Sequence, residues 1–248
     1  MTGKTALAGV FALALVSVQA MAEDKTYAVD DTGYIHNWLA LSAIALNTDV
    51  GAHTEEVEGP FFKKEFFEKQ KTTNPAEDSK VTVDEKELVW KAVQTEGAAW
   101  SFEPGENTIC FGATYIVCDQ DIPDVILSIG SDDSCLWTLN GAEVVKVFAG
   151  RGVTQDQDKS QPLTLKKGTN VLSVAVINGG GPAGASARFL DKDGNPVKTI
   201  KISLTPPSAD AAAPVAAAAP ADDVKVDTKD DAVKDDDAKD KAVNAEDK

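Results

Sequence analysis

The chain has 248 residues, with 40 acidic side chains against 24 basic ones and a net charge of −16. A surface of that sign repels nucleic-acid phosphates and anionic lipid, so neither is an expected partner. After the first 22 residues no run is apolar and long enough for a membrane helix, which argues against membrane insertion.

Lys4 precedes an apolar run from Ala6 to Val18, and Ala20-Met21-Ala22 has the small-residue pattern of a signal-peptidase site. This predicts a cleaved export signal over 1–22 and a mature chain starting near Glu23. The location expected is then secreted, periplasmic or in the cell envelope. No Cys stands at the cleavage point, so a lipid anchor is not expected. Losing Lys4 leaves 23 basic residues against 40 acidic ones, a charge of −17. A linker over 23–33 leads into a segment, 34–204, long enough to bury one core.

Within it, candidate strands recur at the short spacing of an all-β sandwich. They cover residues 35–46, 81–83, 88–93, 109–117, 125–129, 136–139, 144–148, 163–165, 171–177, 185–189 and 197–204. The apolar residues of 35–46 do not alternate cleanly, so periodicity alone leaves that run open between strand and helix. One short helix is expected over 61–71, with Pro60 in its first turn and Phe62, Phe66 and Phe67 on one face. Asn140-Gly141 joins two apolar runs, and both residues accept the positive φ of a tight hairpin turn. Alternation places Trp137, Leu139, Leu172, Val174 and Val176 in the core.

Cys110, Cys118 and Cys135 are an odd set for an oxidising compartment, and one disulfide plus one buried thiol is the plain reading. Cys110 and Cys118 flank a strand that, extended, holds them too far apart to bridge. Either that strand bends at Gly112 or the partner is Cys135. A metal site would want more ligands at closer spacing.

The ordered pieces are Tyr34-Ile35-His36-Asn37-Trp38-Leu39, the Phe-rich helix, the Trp90 strand and Ala113-Thr114-Tyr115. After them come Gly130-Ser131-Asp132-Asp133, Leu139-Asn140-Gly141, Arg151 followed by Asp156-x-Asp158, and Lys167-Gly168-x-Asn170. The series ends with Asn178-Gly179-Gly180-Gly181 and Arg188-Phe189 before Asp191-Lys192-Asp193-Gly194. In this order they resemble the galactose-binding-like, carbohydrate-binding-module-like β-sandwich domains of secreted bacterial proteins. The resemblance implies an antiparallel jelly-roll-like sandwich and makes 35–46 its opening strand. It also implies a non-catalytic, sugar-binding role. The chain departs from the pattern in having Pro182-Ala183-Gly184 where an aromatic would follow Asn178, and Ala40-Leu41-Ser42 in place of a Gly-Pro-Phe loop.

Arg151, Asp156 and Asp158 fall in one loop, where a guanidinium and two carboxylates can donate to and accept from vicinal hydroxyls. The alternative is an Arg–Asp pair that pins the loop. Asn178 and Arg188 are candidate neighbours in a ligand site. Asp132 and Asp133 are candidate ligands for a structural Ca²⁺, since a hard cation wants clustered carboxylates. Otherwise they cap loop amides. Asp191-Lys192-Asp193-Gly194-Asn195 begins like an EF-hand loop, but Ile202 stands at the twelfth position, so a hairpin turn is expected there.

No catalytic set is evident: His36 and His53 have no nucleophile elbow or zinc motif with them. The function expected is a secreted carbohydrate-binding module whose partner is an extracellular or cell-envelope polysaccharide. The alternative is a structural or adhesion component of the envelope without a small-molecule ligand. From about Thr205 the chain turns Ala/Pro-rich and then Asp/Lys-rich, with 12 acids against 6 lysines from Asp210 onward. That composition predicts a disordered, solvated tail over 205–248.

Overall fold

The computed structural model describes residues 25–71, 74–102 and 105–207. The expected export signal and nearly all of the expected tail lie outside the described residues. The described part begins with β1 (Thr26–Ala28), β2 (Asn37–Ala45) and the helix α1 (Glu55–Lys63), followed by β3 (Lys80–Val83), β4 (Lys86–Gln94) and β5 (Ala99–Phe102). Next come β6 (Thr108–Cys118), β7 (Ile122–Asp132), β8 (Ser134–Leu139) and β9 (Ala142–Val147). The last five are β10 (Asp158–Lys159), β11 (Leu163–Leu165), β12 (Gly168–Asn178), β13 (Ala183–Leu190) and β14 (Lys201–Ser203).

The strands form two antiparallel sheets. The larger runs β3-β4-β2-β6-β12-β8-β9, with β14 alongside β6 and β1 alongside β14. The smaller runs β10-β7-β13-β5, with β11 also on β7. The expected all-β sandwich is therefore what forms, and residues 35–46 supply a strand.

Between the sheets lies a core built on tryptophan. Trp38 and Trp100 stack with centroids 5.0 Å apart, and Trp137 meets Trp38 edge-on at 5.9 Å. Trp137, Leu139, Leu172, Val174 and Val176 are all buried, as alternation requires. Gly112 is what lets Trp100 lie against β6, since a Cβ there would come within 2.6 Å of the indole Cζ2. A second apolar cluster covers the other face of the large sheet, where Phe62, Phe67, Trp90, Ile109 and Phe111 pack together. The turns follow their sequence signals: Asn140 and Gly141 take φ of +50° and +81°. Asp191 accepts from the backbone N–H of Asp193 and Asn195 in the turn before Pro196.

Three expectations need correcting. The helix sits earlier than 61–71. Thr54 caps it by accepting from Val57 N at 3.4 Å, and Glu55, Glu56 and Glu58 fill its first turn, where the helix dipole favours acids. Pro60 consequently lies inside the helix, not at its start, and Phe66 and Phe67 follow it in a turn against Phe111. The segment 23–33 is not wholly linker, because β1 pairs with β14.

None of the three cysteines is disulfide-bonded, and all are buried. Cys110 and Cys135 both oppose Val176 on the intervening strand β12, so two strand spacings, roughly 9–10 Å, separate them. A bridge needs Cα atoms within about 7 Å. Strand β6 pairs with β12 without interruption from Thr108 to Cys118, so it does not bend at Gly112 to bring Cys118 back.

Candidate functional site

At one end of the sandwich the β7–β8 turn, Asp132-Asp133, meets the loops around 47–53, 149–153 and 178–181. A cis peptide bond joins the two aspartates. Asp133 fastens the loops. Its Oδ1 accepts from Arg151 N at 2.8 Å and its Oδ2 from Gly179 N at 3.0 Å. The His53 imidazole lies behind it, with Nε2 3.6 Å from Asp133 Oδ2 and Nδ1 3.0 Å from Glu58 Oε1. Gly150 and Gly179 make room for that ring, since a Cβ on either would come within 3 Å of it.

Glu58 projects from α1 into this junction with no solvent exposure, and its Oε2 has no hydrogen-bond partner. Burial pushes its carboxyl above the usual 4.5, against the lowering effect of Ser134 and His53. The folded state therefore holds the proton more tightly than the unfolded chain does. Its penalty sets in as pH rises through about 4.5 and is complete above the raised value. Glu58→Gln is accordingly expected to raise the melting temperature at pH 7, with the gain shrinking to nothing below pH 4.5. A melt series across pH checks it, and a variant less stable at pH 7 would show that the His53 contact outweighs burial.

Asp132 differs from its neighbour. It is half-buried, and burial first, then the charge of Asp133, raises its carboxyl, while the backbone N–H of Val153 works the other way. No other hydrogen bond reaches its oxygens among the described residues. Around it the chain is bare: Gly152 and Gly181 have nothing within 4 Å of where a Cβ would stand, and Gly180 meets only Glu106 Cγ at 3.6 Å.

The remaining candidate residues separate into three places. Arg151 donates to Asp158 Oδ2 at 2.6 Å and to Ser131 Oγ at 2.8 Å, at the edge beside β7. This is the pinning pair, although Arg151 Nε is left buried without a partner. Arg188 grips Asp156 with two bonds, Nε to Oδ1 at 2.9 Å and Nη2 to Oδ2, while Ser128 donates to Oδ1 at 2.7 Å. Burial opposes the charge of Asp156, but the bonds from Arg188 and Ser128 outweigh it and hold that carboxyl below its usual range. Arg188 also lies over the Tyr34 ring at 4.8 Å. Asn178 is fully buried and fastens the rim from beneath, donating to Gly105 O at 2.6 Å.

The two Arg–Asp pairs stretch the 149–158 loop over the outer face of the small sheet. Gly130 and Ser186 stand opposite each other beneath it, and a Cβ at Gly130 would clash with the Thr154 carbonyl oxygen, far inside van der Waals contact. Among the described residues no group of three or more His, Cys, Asp or Glu side chains is arranged to hold a metal. Of the Asp132–Asp133 pair, Asp132 is the one with acceptor capacity unspent.

Sequence reasoning missed His53 and Glu58. His53 stood out only as one of two histidines, and Glu58 carried no signal among 40 acids. Its burial follows from the helix starting at Glu55, six residues before the predicted start.

No protein-family model matches the sequence, and no curated protein does. Among solved structures, the PA14 domain of the antifreeze protein MpAFP is 14% identical, with 75% of this chain and 96% of that one covered and a TM-score of 0.36. The epithelial adhesin 9 A domain of Candida glabrata, solved with Galb1-3GlcNAc, is 9% identical over 73% of this chain and 91% of that one, at 0.35. A β-glucosidase from Kluyveromyces marxianus is 21% identical over 44% of this chain, at 0.32, and the match spans 15% of the glucosidase's length.

Proposed function

We propose that the chain is a non-catalytic carbohydrate-binding module, exported to the envelope or beyond, that recognises a polysaccharide through the loop end around Asp132. One observation carries the reading: Asp133 is committed to holding two loops, which leaves the adjacent Asp132 carboxylate as a fixed acceptor in a rim of exposed glycine backbone. A half-buried carboxylate whose charge is disfavoured gains from added donors, and vicinal sugar hydroxyls supply them. The glycines leave space for a ring to approach the backbone. Such a site sits on loops held by a rigid sandwich, where binding residues commonly lie.

The pairs Arg151–Asp158 and Arg188–Asp156 set the shape of this rim, with Asn178 bracing it from below. Export and an envelope location rest on Lys4, the apolar run and Ala20-Met21-Ala22.

The test is binding to a broad panel of polysaccharides and oligosaccharides, with and without Ca²⁺. Asp132→Asn should weaken binding about ten- to a hundredfold, the worth of one charged hydrogen bond, roughly 1.5–3 kcal/mol, with little change in melting temperature. Silence across the panel, or binding unchanged in Asp132→Asn, would overturn the reading.

A further inference from the structure

On the far side of the molecule from the small sheet, a cavity of about 510 Å³ opens between the large sheet and the residues around α1. Its roof is aromatic, made by Phe61, Phe62 and Phe67. Its floor is the outward face of three neighbouring strands, β6, β12 and β8. There the register sets Ala113 against Ser173 and Ser173 against Thr138, with Phe111, Ala175 and Leu136 in the next row. Small side chains in the middle of the floor make the depression, and Phe111 and Leu136 bound it. The volume falls in the roughly 300–1,000 Å³ range of small-molecule sites.

The charge at the mouth runs against that of the chain. Lys63 and Lys71 both line the cavity and are exposed, and Lys71 Nζ donates to the Lys63 carbonyl at 3.5 Å. Neither ammonium has a carboxylate partner among the described residues, although acids outnumber bases 40 to 24 in the sequence. Glu143, on the opposite wall, is paired with Lys146 at 3.1 Å. Among the described residues, the mouth therefore presents two cations without a carboxylate partner above an apolar interior.

We propose that this cavity binds an amphiphile, an aliphatic or aryl chain ending in a carboxylate or phosphate, with the chain under Phe61, Phe62 and Phe67 and the anion at Lys63 and Lys71. The apolar chain gains by leaving water, and the head group stays at the wet rim where the lysines lie. This site is separate from the loop end and does not depend on sugar binding there.

Titration of the full chain with the fluorescent fatty acid cis-parinaric acid tests it. Saturable binding is expected, and the methyl ester of the same probe should bind about fivefold more weakly, as should the acid to the Lys63→Ala/Lys71→Ala double variant. Ser173→Phe, on the half-exposed floor, should abolish binding while the melt stays cooperative, and the surface lysine variant keeps the test informative if Ser173→Phe fails to fold. The proposal is overturned by absence of saturable binding, or by binding that ignores either the lysines or a folded Ser173→Phe. Equal affinity for acid and ester overturns it too. If limited proteolysis beyond Pro207 unmasks binding that the intact chain lacks, the groove belongs to the chain's own C-terminal segment. If light scattering shows a concentration-dependent dimer that excludes the probe, it belongs to a second copy. Either result defeats the proposal.

Discussion

Trp38→Ala is expected to lower unfolding stability by about 3–5 kcal/mol, the range for deleting a buried tryptophan. Trp38 stands where both sheets meet, stacked on Trp100 from the small sheet and edge-on to Trp137 from the large one. It has no solvent exposure, and its indole N–H donates to Ile35 O at 2.8 Å. Nothing near it can collapse into the space, because Trp100 is already held against Gly112. Truncation therefore leaves a void between the sheets and an unpaired carbonyl as well. Denaturant titration followed by far-UV circular dichroism checks this. A midpoint corresponding to less than about 1 kcal/mol of loss would mean the core repacks around the gap.

Asp133→Ala is expected to cost roughly 2–5 kcal/mol, from two part-buried backbone N–H groups, of Arg151 and Gly179, left without acceptors. The damage should be local. Amide hydrogen exchange would show the 149–153 and 178–181 segments losing protection while β6 and β12 keep theirs. Glycan binding at the loop end should fall with it, although the side chain itself is not proposed to touch sugar. Asp133→Asn, with one acceptor where there were two, should lie between the wild type and the alanine variant. Retained protection at Arg151 and Gly179 in the alanine variant would remove Asp133 from its fastening role.

The strands were legible because a half-buried strand writes its burial into alternate positions. Leu172, Val174 and Val176 are an example, each facing inward between exposed or outward neighbours. The Asn140-Gly141 turn was legible because few residues tolerate its backbone. Strand β5 was missed because Ala99–Phe102 is four residues long and its tryptophan does not by itself distinguish strand from helix. The helix frame was misread because weight was given to Pro60 and the phenylalanines over the cap at Thr54 and its three acids. The cysteine pairing was misread because strand order cannot be seen in the sequence: β12, remote in the chain, comes between Cys110 and Cys135. The same ignorance of order hid the site. Asp132 and Asp133 were noted as a pair, but their separate duties depend on which loops arrive beside them.

The pairing of β1 with β14 has a mechanical consequence. Thr26 sits opposite Ser203, so the described domain begins and finishes at the same spot on one edge of the large sheet. Tension applied between those two points loads the β1–β14 hydrogen bonds one after another, as in opening a zip, and not all together in shear. Strand β1 would peel away first at low force, followed by β14 from β6, before the tryptophan core felt any strain. Joined by a short loop, the same two ends would be natural points at which to close the chain into a ring and reopen it elsewhere.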